Sequence, residues 1–222
     1  EYFDTNIFGF YNIIECCTKY KIKHLIYASS SSVYGTLDKY PYYEDDNTDR
    51  PLSFYAASKK VNETIAHSYS NIFRLPSSGL RFFTVYGPYG RPDMAPHLFT
   101  KAIKKRSLIK LFNNGNHFRD FSYIDDVVDN VYEIIEKIPK EIIPFEIYNL
   151  GSGKKDNLKY FLRLIEKFLN KKSRIKKLPL QVGDVKGTHS NSKKIRNITN
   201  LKPIPLEKGL KTFINWYNKY YN

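Results

Sequence analysis

Tyr55 and Lys59 stand four residues apart in the string "FYAASKK", and upstream of them Ser29, Ser30, Ser31 and Ser32 form an unbroken run. A free phenol is a poor base at neutral pH because its pKa is about 10. A cation beside it favours the phenolate, and a shift of about three units corresponds to roughly 4 kcal/mol. A serine hydroxyl within reach can relay a proton between a substrate hydroxyl and that phenolate. Together the three residue types would take a proton from an alcohol and give it back. The chain holds 19 tyrosines and 36 Lys+Arg, so Tyr-x-x-x-Lys arises readily by chance. Its meaning depends on the elements that carry it.

Residues 55–73 contain neither Pro nor Gly and read as a helix, which puts Tyr55 and Lys59 on one face. The stretch His24–Ser29 ("HLIYAS") is a short apolar run ending in serines and suits a strand buried on both faces of a parallel sheet. Ligands of such sheets bind just beyond the carboxyl ends of the strands. The serine run, the phenol and the ammonium are therefore expected at one place.

The flanking elements follow the same logic. Apolar residues from Phe3 to Cys17 fall at helical spacing, and residues 36–53, with Pro41 and Pro51, read as a loop. Gly79–Val85 is the next expected strand, followed by a Gly/Pro-broken loop from Tyr86 to Pro96. Further helices are expected at Leu98–Lys105, after Asp125 as N-cap, at Leu158–Asn170 and at Leu206–Tyr220. Strands are expected at Ile109–Phe112, Glu146–Leu150 and Arg174–Leu178, with a turn at Asn113–Gly115 and a loop at Gln181–Gly187. Alternating helices and strands argue for an α/β sheet with right-handed crossovers.

At 222 residues the chain can bury a real core, and 41% hydrophobic content argues against disorder. No apolar run reaches membrane-spanning length. Cys16 and Cys17 are adjacent and read as two reduced thiols of a cytoplasmic protein; no metal-ligand spacing is present, and the five histidines read as surface residues. The net charge of +14 is spread over many segments and accompanies enrichment in Lys, Asn, Ile and Tyr. It reads as a compositional bias, with no nucleic-acid or membrane partner, though a basic surface suits an anionic ligand such as a nucleotide diphosphate.

The strings "YASSSSVYG", "YAASKKVNE", "LRFFTVYGPYGRPDM", "RDFSYIDD" and "YNLGSG" occur in this order. In this respect the chain resembles the extended short-chain dehydrogenase/reductases, and within them the UDP-glucuronate 4-epimerases. The resemblance implies an α/β fold: the C-terminal part of a Rossmann-type parallel sheet, with its first four strands missing, and a small α/β substrate-binding domain. Residues 1–90 and 118–150 would form the dinucleotide-binding part, and residues 91–117 and 151–222 the part that binds a UDP-sugar. It implies Tyr55 as general base, Lys59 as the cation beside it and a ligand of the nicotinamide ribose, and Ser30 as the third member of a catalytic triad. Asn6, in "YFDTNIFG", and Phe83 would lie beside the nicotinamide of NAD. Arg119 and Asp184, in "QVGD", would hold the UDP diphosphate and ribose. A homodimer is implied for the complete enzyme, as is a separate N-terminal fragment if the chain is one piece of a split one.

The residues after Ser30 bear on the reaction. Relatives that dehydrate or decarboxylate the sugar usually carry an acidic residue there; this chain has Ser31 and Ser32. Neither serves well as acid or base, so these residues favour simple epimerisation at C4 through a transient 4-keto sugar, and the resemblance, with the "GRPDM" run around Arg91, implies that the sugar is a UDP-hexuronic acid. Such an intermediate tends to lose carbon dioxide, so its carboxylate must be gripped. Ser31, Ser32, Thr84 and Arg91 are the candidates, although Arg91 fits a loop-pinning role equally. The glycine-rich turn that cradles the pyrophosphate of NAD in the family has no counterpart in the 222 residues. A non-catalytic remnant that only binds a UDP-sugar, and another UDP-sugar epimerase or decarboxylase, stay open beside the epimerase. The strand at His24–Ser29 is expected to lack one neighbour, leaving an aggregation-prone edge.

Overall fold

The computed structural model describes residues 1–35, 37–180, 185–200 and 202–221. The N-terminal segment is a continuous helix whose first part, Phe3–Phe8, is π-helical before it becomes α1 (Gly9–Lys19). Its apolar stripe is expressed as Ile14, fully buried between β1 (Leu25–Ser30) and the packed helix α2 (Phe54–Phe73). Ser53 caps α2 by accepting the Ala56 N–H at 3.1 Å, and Arg74 ends it in the left-handed conformation.

The chain continues through β2 (Ser77–Phe82), β3 (Thr84–Tyr86), α3 (Ala95–Lys104), β4 (Leu108–Leu111), β5 (Phe118–Arg119) and β6 (Phe121–Tyr123). It then forms α4 (Ile124–Ile135), β7 (Phe145–Leu150), β8 (Asp156–Asn157), α5 (Leu158–Leu169), β9 (Arg174–Lys177), α6 (Lys193–Thr199) and α7 (Leu206–Tyr220).

The strands β1, β2 and β7 make a parallel sheet in that order, with Leu25 opposite Ser77 and Ser77 opposite Phe145. β2 is central, and its residues Ser77–Arg81 are buried. Gly79 serves this close packing: a Cβ there would lie 2.6 Å from both the Tyr27 hydroxyl and Ile147 Cδ1. Among the described residues β1 pairs on one side only. Two further parallel pairs, β3 with β6 and β4 with β9, and an antiparallel pair, β5 with β8, complete the strands. The largest apolar cluster joins Tyr86, Phe121 and Tyr123 to Phe161 and Ile165 of α5 and to Leu210, Phe213 and Ile214 of α7.

Several expectations change. The single strand Gly79–Val85 is two strands, because the chain changes partner after Phe82. The Phe83 N–H reaches Leu150 O at 3.3 Å, and the Thr84 N–H then takes Asp120 O at 3.0 Å, starting the β3–β6 pair. Asp125 is not the N-cap of α4; Tyr123 holds that position, and Asp125 and Asp126 occupy the first turn, where they oppose the positive end of the helix. The Asp126 carboxylate instead accepts the Ile204 N–H at 2.8 Å. His97 and His117 are buried, not on the surface. His97 stands edge-on to Phe213 and Trp216 at 5.0 and 5.7 Å, a ring among rings. The helix α6 and the short strands β5, β6 and β8 were not anticipated.

Candidate active site

The carboxyl end of β1 delivers the serine run. Ser29 and Ser30 complete the strand, and Ser31–Tyr34 turn into one 3₁₀ helix that Ser30 caps. The Ser30 hydroxyl accepts the Ser32 N–H at 3.1 Å and donates to the Ser32 hydroxyl at 3.2 Å. The turn is stopped by Gly35, whose φ of +56° and whose approach to Arg50 O exclude a side chain.

α2 packs against β1 and this turn and brings Tyr55 and Lys59 to the same end of the sheet. The Lys59 ammonium sits 6.0 Å from the centre of the Tyr55 ring. It donates to Ala28 O of β1 at 3.0 Å, which pins the lysine across the strand. Burial pushes the Lys59 ammonium below its usual pKa. Asn6 donates to the Ser58 hydroxyl at 3.0 Å, and Ser58 donates to Tyr55 O at 2.8 Å, so Asn6 steadies the first turn of α2 from the N-terminal helix.

Ser31 and Ser32 line a cleft of about 190 Å³ with Tyr42, Leu52, Ser53, Ala56, Val185 and Thr188. Sites that enclose a whole small ligand run to roughly 300–1,000 Å³, so the cleft suits one sugar-sized part of a larger molecule. Arg91, strongly exposed, pairs with Asp93 at 2.5 Å; Asp93 raises its pKa, with smaller contributions from Tyr2 and Tyr55.

Other expected residues stand farther from this centre. Phe83 is buried with Val33, Tyr34 and Tyr42 behind the serine turn. Thr84 is half-buried at the start of β3. Arg119 donates to Phe118 O at 3.0 Å and meets His117 Nδ1 at 3.2 Å. Asp184 lies outside the described residues.

Two buried polar centres escaped the sequence reading. Asp120, fully buried, accepts from Ser152 N and Oγ at 2.6 and 2.7 Å, from Gly153 N at 3.0 Å and from Ser190 N and Oγ at 3.0 and 2.5 Å. It ties the chain before β6 to the loop after β7 and to the segment before α6. The second centre is Arg81 with Glu63, a bidentate ion pair at 2.9 Å on both arms. The available signals were a lone arginine inside an apolar strand and a glutamate two helical turns beyond Tyr55.

The sequence matches the NAD dependent epimerase/dehydratase family over residues 1–151. It is 43% identical to Protein CapI of Staphylococcus aureus, covering 99% of this chain and 70% of that protein. It is 42% identical to UDP-glucuronate 4-epimerase 5 of Arabidopsis thaliana, covering all of this chain and 54% of that protein. The fold superposes on the UDP-glucuronic acid 4-epimerase of Bacillus cereus, solved with UDP-glucuronic acid and NAD, with a TM-score of 0.89 and 30% identity over 97% of this chain and 68% of that one. The chain belongs to the NAD dependent epimerase/dehydratase family and is an enzyme of the NAD-dependent epimerase class, with a Rossmann-type α/β fold. No helix among the described residues is long and apolar enough to cross a membrane.

NAD is the cofactor of this class. The residues present fit its nicotinamide end. A lysine ammonium has three donors; Ala28 O takes one from the half-buried Lys59, and a pair of ribose hydroxyls suits the others.

Proposed function

We propose that the protein interconverts UDP-glucuronate and UDP-galacturonate by inverting C4, in the cytoplasm. The observation that carries this reading is the cleft at the serine turn, lined also by Ala56, the residue after Tyr55: Ser31, Ser32, Ser53 and Thr188 supply hydroxyls, and no carboxylate lines it among the described residues. Hydroxyls suit the carboxylate of a uronic acid. Among the described residues that line the cleft, none is the acidic proton carrier that dehydration at C5 and C6 would use. The cytoplasmic assignment draws on the two free thiols at Cys16 and Cys17.

Lys59, Tyr55 and Ser30 would hold the nicotinamide end of NAD, with Asn6 supporting them from the N-terminal helix and Phe83 from behind the serine turn. When bound, NAD supplies reversible hydride acceptance at C4 of the sugar. Tyr55 takes the C4 hydroxyl proton, directly or through Ser30, and returns it once the sugar presents its other face. The positive charge of Lys59 favours the negative charge that develops on the Tyr55 oxygen. Ser31 and Ser32 hold the carboxylate so that the bond to it stays poorly aligned with the C4 carbonyl, with Thr84 and Arg91 as the further candidates for this grip. Leu52, Ala56 and Val185 present the apolar part of the wall, while Arg119 and Asp184 take the nucleotide side. The complete enzyme would be a homodimer, a reading favoured by Phe8 in the π-helical part of the N-terminal helix, Tyr11 and Ile13 on α1, and Ile72 and Phe73 on α2, all exposed.

The test is product analysis. UDP-glucuronate supplied to the protein as its gene encodes it in full should give UDP-galacturonate with little pentose. Dominant release of a UDP-pentose would make the enzyme a decarboxylase.

A further inference from the structure

A single buried guanidinium touches both halves of the candidate site from behind. Arg81 in β2 is 3% exposed, as is Glu63 in α2. Arg81 Nε and one terminal nitrogen donate to the two Glu63 oxygens at 2.9 Å each. Its other terminal nitrogen donates to the Tyr34 hydroxyl and to Glu44 O, both at 2.9 Å. Glu63 stands one helical turn beyond Lys59 and two beyond Tyr55, and its Oε1 also accepts the Ser29 hydroxyl at 2.6 Å. Tyr34 ends the 3₁₀ turn that begins with Ser31, and its hydroxyl donates to Asn149 Oδ1 of β7 at 2.6 Å. The guanidinium also lies 4.9 Å from the centre of the Tyr34 ring. The bonds therefore run from the helix that carries Tyr55 and Lys59 to the serine turn by two routes: from Glu63 directly to Ser29, in the strand just before the turn, and through Arg81 to Tyr34 at its far end.

We propose that Arg81 and Glu63 are positioning residues: their buried pair sets the spacing between the Tyr55/Lys59 helix and the serine turn. The alternative is a purely stabilising pair, and the physics speaks against it. Desolvating two charges offsets most of their attraction, so apolar side chains of similar volume often stabilise a fold equally well. A planar, forked pair whose third nitrogen is directed at Tyr34 and at Glu44 O gives geometry above all. A misplacement of about 1 Å between reacting groups costs on the order of 10²-fold in rate.

The inference rests on the proposed proton-transfer roles of Tyr55, Lys59 and Ser30. Its test uses the protein as its gene encodes it and three variants: Arg81→Lys, Glu63→Gln, and the apolar double variant Arg81→Met/Glu63→Met, which leaves no lone buried charge. Two quantities are read on each variant that gives a cooperative thermal melt. The first is kcat against KM with UDP-glucuronate; the second is the titration of the Lys59 amine without substrate, by NMR of isotope-labelled lysine. The expected result is a kcat loss of about 10–100-fold with KM little changed, together with a Lys59 titration moved up toward that of an exposed lysine as the amine loses its seat on Ala28. The isosteric Glu63→Gln keeps the Ser29 contact and should lose least. Wild-type kcat in the folded double variant, or a kcat loss with Lys59 titrating as in the wild type, would overturn the proposal. If the double variant does not fold, the same two outcomes are read on Arg81→Lys. Because Lys59 is titrated without substrate, that readout stands even if the enzyme turns over a different sugar nucleotide.

Discussion

Replacing Lys59 by methionine keeps the length of the side chain and removes its charge. The ammonium is 6.0 Å from the centre of the Tyr55 ring, and at an effective dielectric constant of about 20 a unit charge at that distance contributes about 2.8 kcal/mol. That much differential stabilisation of charge developing on the phenol corresponds to a rate factor of about 10². The variant also loses the bond to Ala28 O, but that bond fixes the lysine itself and is of no use to the methionine. Initial rates with saturating UDP-glucuronate and NAD, the two epimers being separated by anion exchange, should therefore show kcat reduced about 10²-fold and KM for the sugar nucleotide little changed. A loss smaller than about fivefold would mean that less than about 1 kcal/mol comes from the lysine, and the electrostatic role assigned to it would be wrong.

The pH profile carries a related prediction. Burial holds the Lys59 pKa below the usual lysine value, and the reaction needs its protonated form, so activity should fall as pH rises through that lowered value; this alkaline limb should vanish in Lys59→Met. His97 is 4% exposed, and burial lowers its pKa below 6.5. The unfolded chain then takes up the proton first, so stability present above about pH 6.5 is lost as pH falls through the folded-state value, with a slope of at most about 1.4 kcal/mol per pH unit; urea melts of His97→Gln should lack that contribution. Asp120→Ala strands the buried N–H groups of Ser152 and Ser190, at about 1–3 kcal/mol each, and the half-buried N–H of Gly153, against a total stability of about 5–15 kcal/mol. Its urea midpoint should collapse, and a wild-type midpoint would show that these bonds contribute little.

The parts of the molecule with a period or a punctuation mark could be read from the sequence. Uninterrupted helix formers gave α2, and an apolar run closed by serines gave β1. The i, i+4 spacing of Tyr55 and Lys59 survives in the structure because both sit in the first turns of α2, facing the strand end. The rest depends on pairings between residues far apart. Thr84 and Val85 read as the tail of β2, and Tyr86 as loop, because nothing local marks the change of partner to β6. β5 and β8 are two residues each, too short for any pattern, and pair across 37 residues of chain from Arg119 to Asp156. His97 is a surface residue by type and a core residue by neighbourhood, made so by Phe213 and Trp216 of α7. Arg81 and Glu63 are ordinary charged residues until the fold places them 2.9 Å apart in the interior.

The central claim is that Tyr55, aided by Lys59 and Ser30, supports inversion at C4 with no exchange of that carbon's hydrogen with water. UDP-glucuronate deuterated at C4 tests it most directly, with the complete protein and NAD, the product being read by NMR. The account predicts UDP-galacturonate that keeps its deuterium at C4, and a rate lowered by about 10²–10⁴-fold in Tyr55→Phe. Deuterium washed out into solvent, or a Tyr55→Phe protein that forms the same product at the wild-type rate, would contradict it.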